Sequence, residues 1–165
     1  LGLFFPSTKE RFERLEEALQ IVLQMWSDDD GPYEGTHYRL ERTMNSPQVL
    51  TRPHPPILIG GGGEKKTLRL VAQYGDACNL FDGPELPHKL DVLKKHCDDL
   101  GRDYAQIEKT VMGRGYGGDP KELVAHLEEL GKLGIQEYHG LVPNVAEIDP
   151  IRRVGAEVVP AVAAL

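Results

Sequence analysis

From Ile57 onward the chain alternates short apolar runs with stretches of helical periodicity, and this alternation constrains the fold more than any other feature. Ile57-Leu58-Ile59 follows two prolines and is wholly apolar, which suits a parallel strand buried on both faces. A helix is expected from about Glu64 to Tyr74, with Leu68 and Val71 inward and Gly75 placed to end it. Ala77 to Phe81 is the next strand. Pro84 opens a helix with Leu86, Leu90, Leu93, Cys97 and Leu100 on one face, closed by Gly101. Ile107 to Met112 is a third strand. Asp119-Pro120 has the form of an N-cap followed by proline at the first helical position, and Leu123, Leu127 and Leu130 line the inner face of that helix. Ile135 to Val142 is a fourth strand. Asp149-Pro150 opens a last helix with Ile151, Val154, Val158 and Val162 inward.

Strict alternation with helices of this length implies a parallel sheet with right-handed crossovers. Two α/β architectures fit. One is a doubly wound open sheet. The other is the C-terminal half of a (β/α)8 TIM barrel, with about four parallel strands and five helices. A whole barrel needs ~250 residues, and this chain has 165.

The part before Ile57 is built differently. Ser7-Thr8-Lys9-Glu10 matches a capping box. Phe12, Leu15, Leu19, Val22 and Trp26 then recur at helical spacing. Asp28 to Gly31 breaks this helix, and Tyr33 to Leu40 has the pattern of a small hairpin turning at Glu34-Gly35. Met44 to Pro56 carries four prolines and little periodicity. Residues 1–165 are read as one domain with an excursion at about 28–55. The chain opens on Leu1 and an apolar Leu1–Phe5, which suggests a start inside something larger; an unusual boundary is the plainer explanation.

Composition removes several classes of function. The chain is 40% hydrophobic and 27% charged, with a net charge of −7. A net negative, mixed-sign chain argues against nucleic acid or an anionic membrane as the main partner. No apolar run approaches the ~18 residues a spanning helix needs. Cys78 and Cys97 are the only cysteines and match no zinc spacing. A cytoplasmic setting is the default expectation. The six histidines form no i,i+4 pair on a helix, so nothing suggests a metal site.

The junction after Ile59 reads Gly60-Gly61-Gly62-Gly63-Glu64-Lys65-Lys66-Thr67. It fails the dinucleotide pattern G-x-G-x-x-G, because the third glycine would fall at Lys65. It fails the P-loop pattern too, because Lys65 stands where the second glycine is required. The physics outlasts both patterns. Glycine lets a backbone approach a ligand closely. A helix N-terminus presents free N–H groups and a partial positive charge, and Lys65 and Lys66 add formal charge. These features describe an anion site of the phosphate type, at the strand end where α/β proteins hold ligands. The other reading is a tight turn with close helix–strand packing. Glu64 weighs against the anion unless its carboxylate points away.

Four segments in this order, "ERFERLEEALQIVLQMW", "YEGTHYRLE", "RPHPPILIGGGGEKKTLRLVAQYGDACNLF" and "HCDDLGRDYAQIEKTV", resemble the luciferase-like flavin monooxygenase superfamily. The branch they are most similar to uses the deazaflavin coenzyme F-420 (F420). The resemblance implies the C-terminal half of a TIM barrel and an oxidoreductase that transfers hydride with F420, or uses oxygen chemistry with FMN. It implies that Gly62 and Gly63 offer backbone amides to the cofactor phosphate, that Gly61 permits close approach, and that Lys65 and Lys66 complete the cradle. It also implies that the catalytic residues belong to the first four barrel strands, which this chain does not match. The partners it implies are a small-molecule cofactor and substrate; the two open edges of a four-strand half-barrel add the expectation of either a homodimer or a missing N-terminal half. The loop Asp82-Gly83-Pro84-Glu85 has no positive charge, which argues against a phosphosugar. An NAD-binding open sheet and a non-catalytic subunit are the competing readings, the first supported by Asp82 about 20 residues past the glycines.

Other residues carry paired readings. Asn79 and Asp82 would face the pocket mouth, with Asp82 either binding a ribose or ribityl hydroxyl or, more plainly, capping the next helix. His96 and His126 are expected on outer helix faces. His139 is either an acid/base group or a hydrogen-bonded structural histidine. Arg114, in a glycine-rich loop, would meet a polar cofactor tail or simply be solvated. Trp26 is expected to pack.

Overall fold

The computed structural model describes residues 2, 4–113, 119–142 and 146–164. It contains two compact units, Leu1–Ile57 and Leu58–Leu165.

In the first unit, α1 (Thr8–Trp26) starts where the capping residue puts it, with the Ser7 hydroxyl accepting from the Glu10 amide at 3.2 Å. The reciprocal half of the box is absent, because Glu10 accepts from Arg14 at 2.8 Å instead. Leu19 and Ile21 are the buried residues of α1, whereas Leu15 is exposed. A two-residue hairpin, β1 (Tyr33–Glu34) and β2 (Arg39–Leu40), follows. Its turn lies over Gly35–Tyr38, closed by Gly35 N–H to Tyr38 O at 2.9 Å, two residues later than the sequence pattern predicts. Glu17 explains the shift. Its carboxylate accepts from the amides of Thr36, His37 and Tyr38 at 2.8–2.9 Å, so α1 itself holds the turn. Trp26 packs as expected, stacked on His54 with ring centroids 5.8 Å apart.

The second unit is a four-stranded parallel sheet in the order β3 (Leu58–Gly60), β4 (Ala77–Phe81), β5 (Glu108–Met112), β6 (Glu137–His139). Helices α2 (Thr67–Tyr74), α3 (Leu86–Leu100) and α4 (Pro120–Lys132) connect them. Spatial order equals chain order throughout, which is the winding of a barrel; a doubly wound sheet reverses order at a switch point. The sheet's buried side is made by Ile59, Cys78, Leu80 and Val111, under Leu68, Val71, Leu86 and Leu93 from α2 and α3. On the alternate positions Leu58, Phe81 and Met112 are 51%, 69% and 48% exposed. In a parallel α/β sheet such residues are ordinarily covered.

The last helical stretch departs from its expected pattern. It comprises α5 (Ile148–Arg153), a π-helical turn Val154–Val158 and α6 (Val159–Val162). Val158 is buried, but Ile151 is exposed. A π-turn inserts one residue into the ladder and rotates what precedes it by about 100°, so the 3.6-residue pattern cannot run through it. The fourth strand is shorter than expected, at three residues. No helix of the described residues is long and apolar enough to cross a membrane.

Candidate functional site

The glycine corner begins where β3 ends. The Gly61 amide donates to Asn79 O on the neighbouring strand at 2.9 Å, which ties the turn to the sheet. Gly61 has φ +114°, a conformation L side chains rarely adopt. The chain then makes a turn over residues 64–66 before α2 starts at Thr67, three residues later than the periodicity suggests. A side chain on Gly63 would place its Cβ 2.7 Å from Thr67 Oγ1, so only hydrogen fits there. Gly62 is different: a Cβ would meet nothing nearer than Lys89 Cε at 3.7 Å. Among the described residues, the amides of Gly62, Gly63, Glu64 and Lys65 are paired with no protein acceptor. Free amides at a turn leading into a helix are the chemistry of an anion site.

Three side chains of α3 close on this corner. Lys89 Nζ lies 2.5 Å from Glu64 Oε1, and His88 Nε2 lies 3.2 Å from the same oxygen. His96 Nε2 donates to the Glu64 carbonyl at 2.7 Å. The Lys89 ammonium holds the Glu64 carboxyl below the usual range, and Glu64 in turn raises Lys89. Sequence reasoning missed both Lys89 and His96. They are seven residues apart, two helical turns, and flank the Leu86–Leu90–Leu93–Cys97 stripe. That spacing was the available signal. The expectation that His96 lies on an outer face is corrected, since its ring is partly buried against the turn.

The predicted lysines are placed differently. Lys65 and Lys66 are both exposed, and Lys66 is the N-cap of α2 without a side-chain capping bond. Asn79 Nδ2 donates to Thr110 Oγ1 at 2.9 Å, inside the sheet. Asp82 does not cap α3, whose N-cap is Glu85; its Oδ2 lies 2.7 Å from His126 Nε2 on α4. That contact brings His126 to the strand ends. His139 pairs in register with Met112, and its Nε2 is buried without a hydrogen bond. Arg114 lies outside the described residues.

The model of the luciferase-like monooxygenase family matches residues 2–124. The chain belongs to this family. Among its curated relatives, the F420-dependent glucose-6-phosphate dehydrogenase of Kineococcus radiotolerans is 32% identical over 117 residues, 67% of this chain and 33% of that protein. Among solved structures, an F420-dependent secondary alcohol dehydrogenase in complex with an F420-acetone adduct superposes with a TM-score of 0.79 at 17% identity, covering 96% of this chain and 64% of that one. The coenzyme F420 dependent tetrahydromethanopterin reductase from Methanopyrus kandleri gives 0.75 at 14% identity, covering 90% and 63%. These superpositions establish the fold: the luciferase-like sheet and helices of this chain are part of a barrel, not an open doubly wound sheet. The chain spans about a third of the length of the Kineococcus relative.

Proposed function

We propose that this chain supplies the phosphate-binding part of the cofactor site in a luciferase-like oxidoreductase that transfers hydride to or from coenzyme F420. The observation that carries the reading is the corner Gly61–Lys65, with four amides unpaired among the described residues and a cation, Lys89, beside Gly62. The residues fit a phosphate. Gly62 leaves room over the backbone that a Cβ would fill, and the amides of Gly62 and Gly63 are donors. FMN is the alternative cofactor and also carries a phosphate on its ribityl chain. When bound, the deazaflavin supplies the hydride chemistry, and the protein supplies binding and orientation.

Each residue has a defined part in this reading. Gly61 sets the turn and ties it to β4. Gly62 and Gly63 give amides to the phosphate, and the N-terminus of α2 adds a favourable field. Lys65 and Lys66, both exposed, contribute diffuse positive potential. Holding the tail at one corner fixes where the ring lies relative to the other strand ends. The relatives include F420-dependent glucose-6-phosphate dehydrogenases, but the loop Asp82–Glu85 carries two carboxylates and no cation, which argues against a phosphosugar substrate here. The same reading expects four further strands, from a second copy or a longer polypeptide, to complete the barrel.

Gly62→Val tests the reading. The space around Gly62 accepts a side chain, so the variant should keep its unfolding midpoint while losing at least about tenfold in F420 affinity by fluorescence titration. Undiminished binding would show that the phosphate lies elsewhere. Binding of NAD but not F420 would replace the reading outright.

A further inference from the structure

The corner that is built for an anion already contains one. Glu64 lies within the turn itself, and its Oε1 takes the Lys89 ammonium at 2.5 Å. Glu85 Oε2 is a second, weaker partner at 3.7 Å. Lys89 is the least exposed of the three lysines near the glycines. Its side chain is only 20% exposed and runs along Gly62, whereas Lys65 and Lys66 are exposed. Glu64 is held on its other sides as well, by His88 at its carboxylate and by His96 at its backbone carbonyl. A phosphate over Gly62 would therefore find its nearest ammonium already engaged, with a carboxylate alongside.

We propose that Lys89 is the side-chain cation of the phosphate site and that Glu64 is an internal competitor which the phosphate must displace from it. This rests on the cofactor-phosphate reading given above. Two anions that share one cation repel each other and divide its hydrogen bonds. The phosphate, which also takes the unpaired amides of the corner, wins the ammonium, and Glu64 keeps His88. An uncharged ligand gains nothing by this exchange. Glu64 therefore sets how strongly the corner favours a phosphate: it lowers affinity for ligands that must take Lys89 from it and leaves ligands without a phosphate unaffected. Without a ligand, the carboxylate keeps a half-buried ammonium paired and holds the turn closed against α3.

The test compares F420 with the same deazaflavin and ribityl chain lacking the phosphate, read as amide chemical shifts of Gly62 and Gly63, which report occupancy of the corner and not turnover. Glu64→Gln and Glu64→Ala should each bind F420 roughly tenfold tighter than wild type, the value of one charge-assisted hydrogen bond regained. Both should leave the phosphate-free compound unchanged. Lys89→Met should weaken F420 by a similar factor, again without effect on the phosphate-free compound. Unchanged or weaker F420 binding in both Glu64 variants would overturn the proposal. So would equal tightening for the two ligands, which would make Glu64 a steric plug. If wild type binds the two ligands equally, the cofactor-phosphate reading itself falls, and that result is distinct from either failure of the Glu64 variants.

Discussion

Gly61 and Gly62 are neighbours with opposite tolerances. Gly61 needs its positive φ, so Gly61→Ala should cost about 1–2 kcal/mol in urea unfolding. Gly62 does not, and Gly62→Ala should leave stability within about 0.5 kcal/mol while still reducing F420 affinity. A stability loss at Gly62 equal to that at Gly61 would show that the corner is only a packing device. Tyr104 makes an independent residue-level case. Burial pushes its phenol up to about 12, and Lys109 Nζ sits 4.7 Å from the ring centroid. The folded pKa is raised above the unfolded value of about 10. The stability it contributes is therefore intact below about pH 10 and is lost as pH rises from there toward 12. Ultraviolet titration should show a tyrosine ionisation near pH 12, and Tyr104→Phe should remove that step.

α3 does more than connect two strands. Its inner face buries Leu86, Leu90, Leu93 and Cys97, and its flank carries Lys89 and His96 to the glycine turn. Stability and site geometry are thus set by one helix. Leu93 is fully buried, so Leu93→Ala should cost about 2–5 kcal/mol. Because α2 and α3 pack together, that variant should also accelerate amide exchange at Leu68, whose N–H bonds Gly63 O at 3.0 Å. Unchanged exchange at Leu68 would mean that the turn holds its shape without α3. In the first unit, Glu17 plays the organising part for the hairpin. Desolvation works against its charge, but the amides of His37, Thr36 and Tyr38 outweigh it and keep its pKa low.

For the sheet as a whole, the strand order and the exposed row Leu58, Phe81 and Met112 belong together. A barrel turns that face inward and fills it with side chains from opposing strands. β3 and β6 each have one paired edge among the described residues, and open edges invite pairing. The chain on its own should self-associate as concentration rises, seen as mass growth in light scattering, and should bind a hydrophobic dye. Phe81→Lys with Met112→Lys should reduce both. A dilute and concentrated chain of identical monomer mass with no dye binding would count against barrel completion.

Much of this was legible because local signals and global fold agree. Asp119-Pro120 caps α4 as written, with the Asp119 carboxylate on the Lys121 amide at 3.0 Å. Ala77–Phe81 is the strand that its apolar run indicates. The glycine run marks the candidate corner, and the family follows from motifs spread across the chain. Other features depend on groups far apart in sequence. Lys89 is 25 residues from Glu64, and Asp82 is 44 from His126; no periodicity records which loop and helix side chains meet. The π-turn that exposes Ile151 and the Glu17 anchor that moves the hairpin turn are likewise products of packing. Local propensity and hydrophobic period are written residue by residue, so the sequence determined the alternation, the caps and the glycine corner. Which cation stands over that corner is a question of distance in space, and only the tertiary structure decided it.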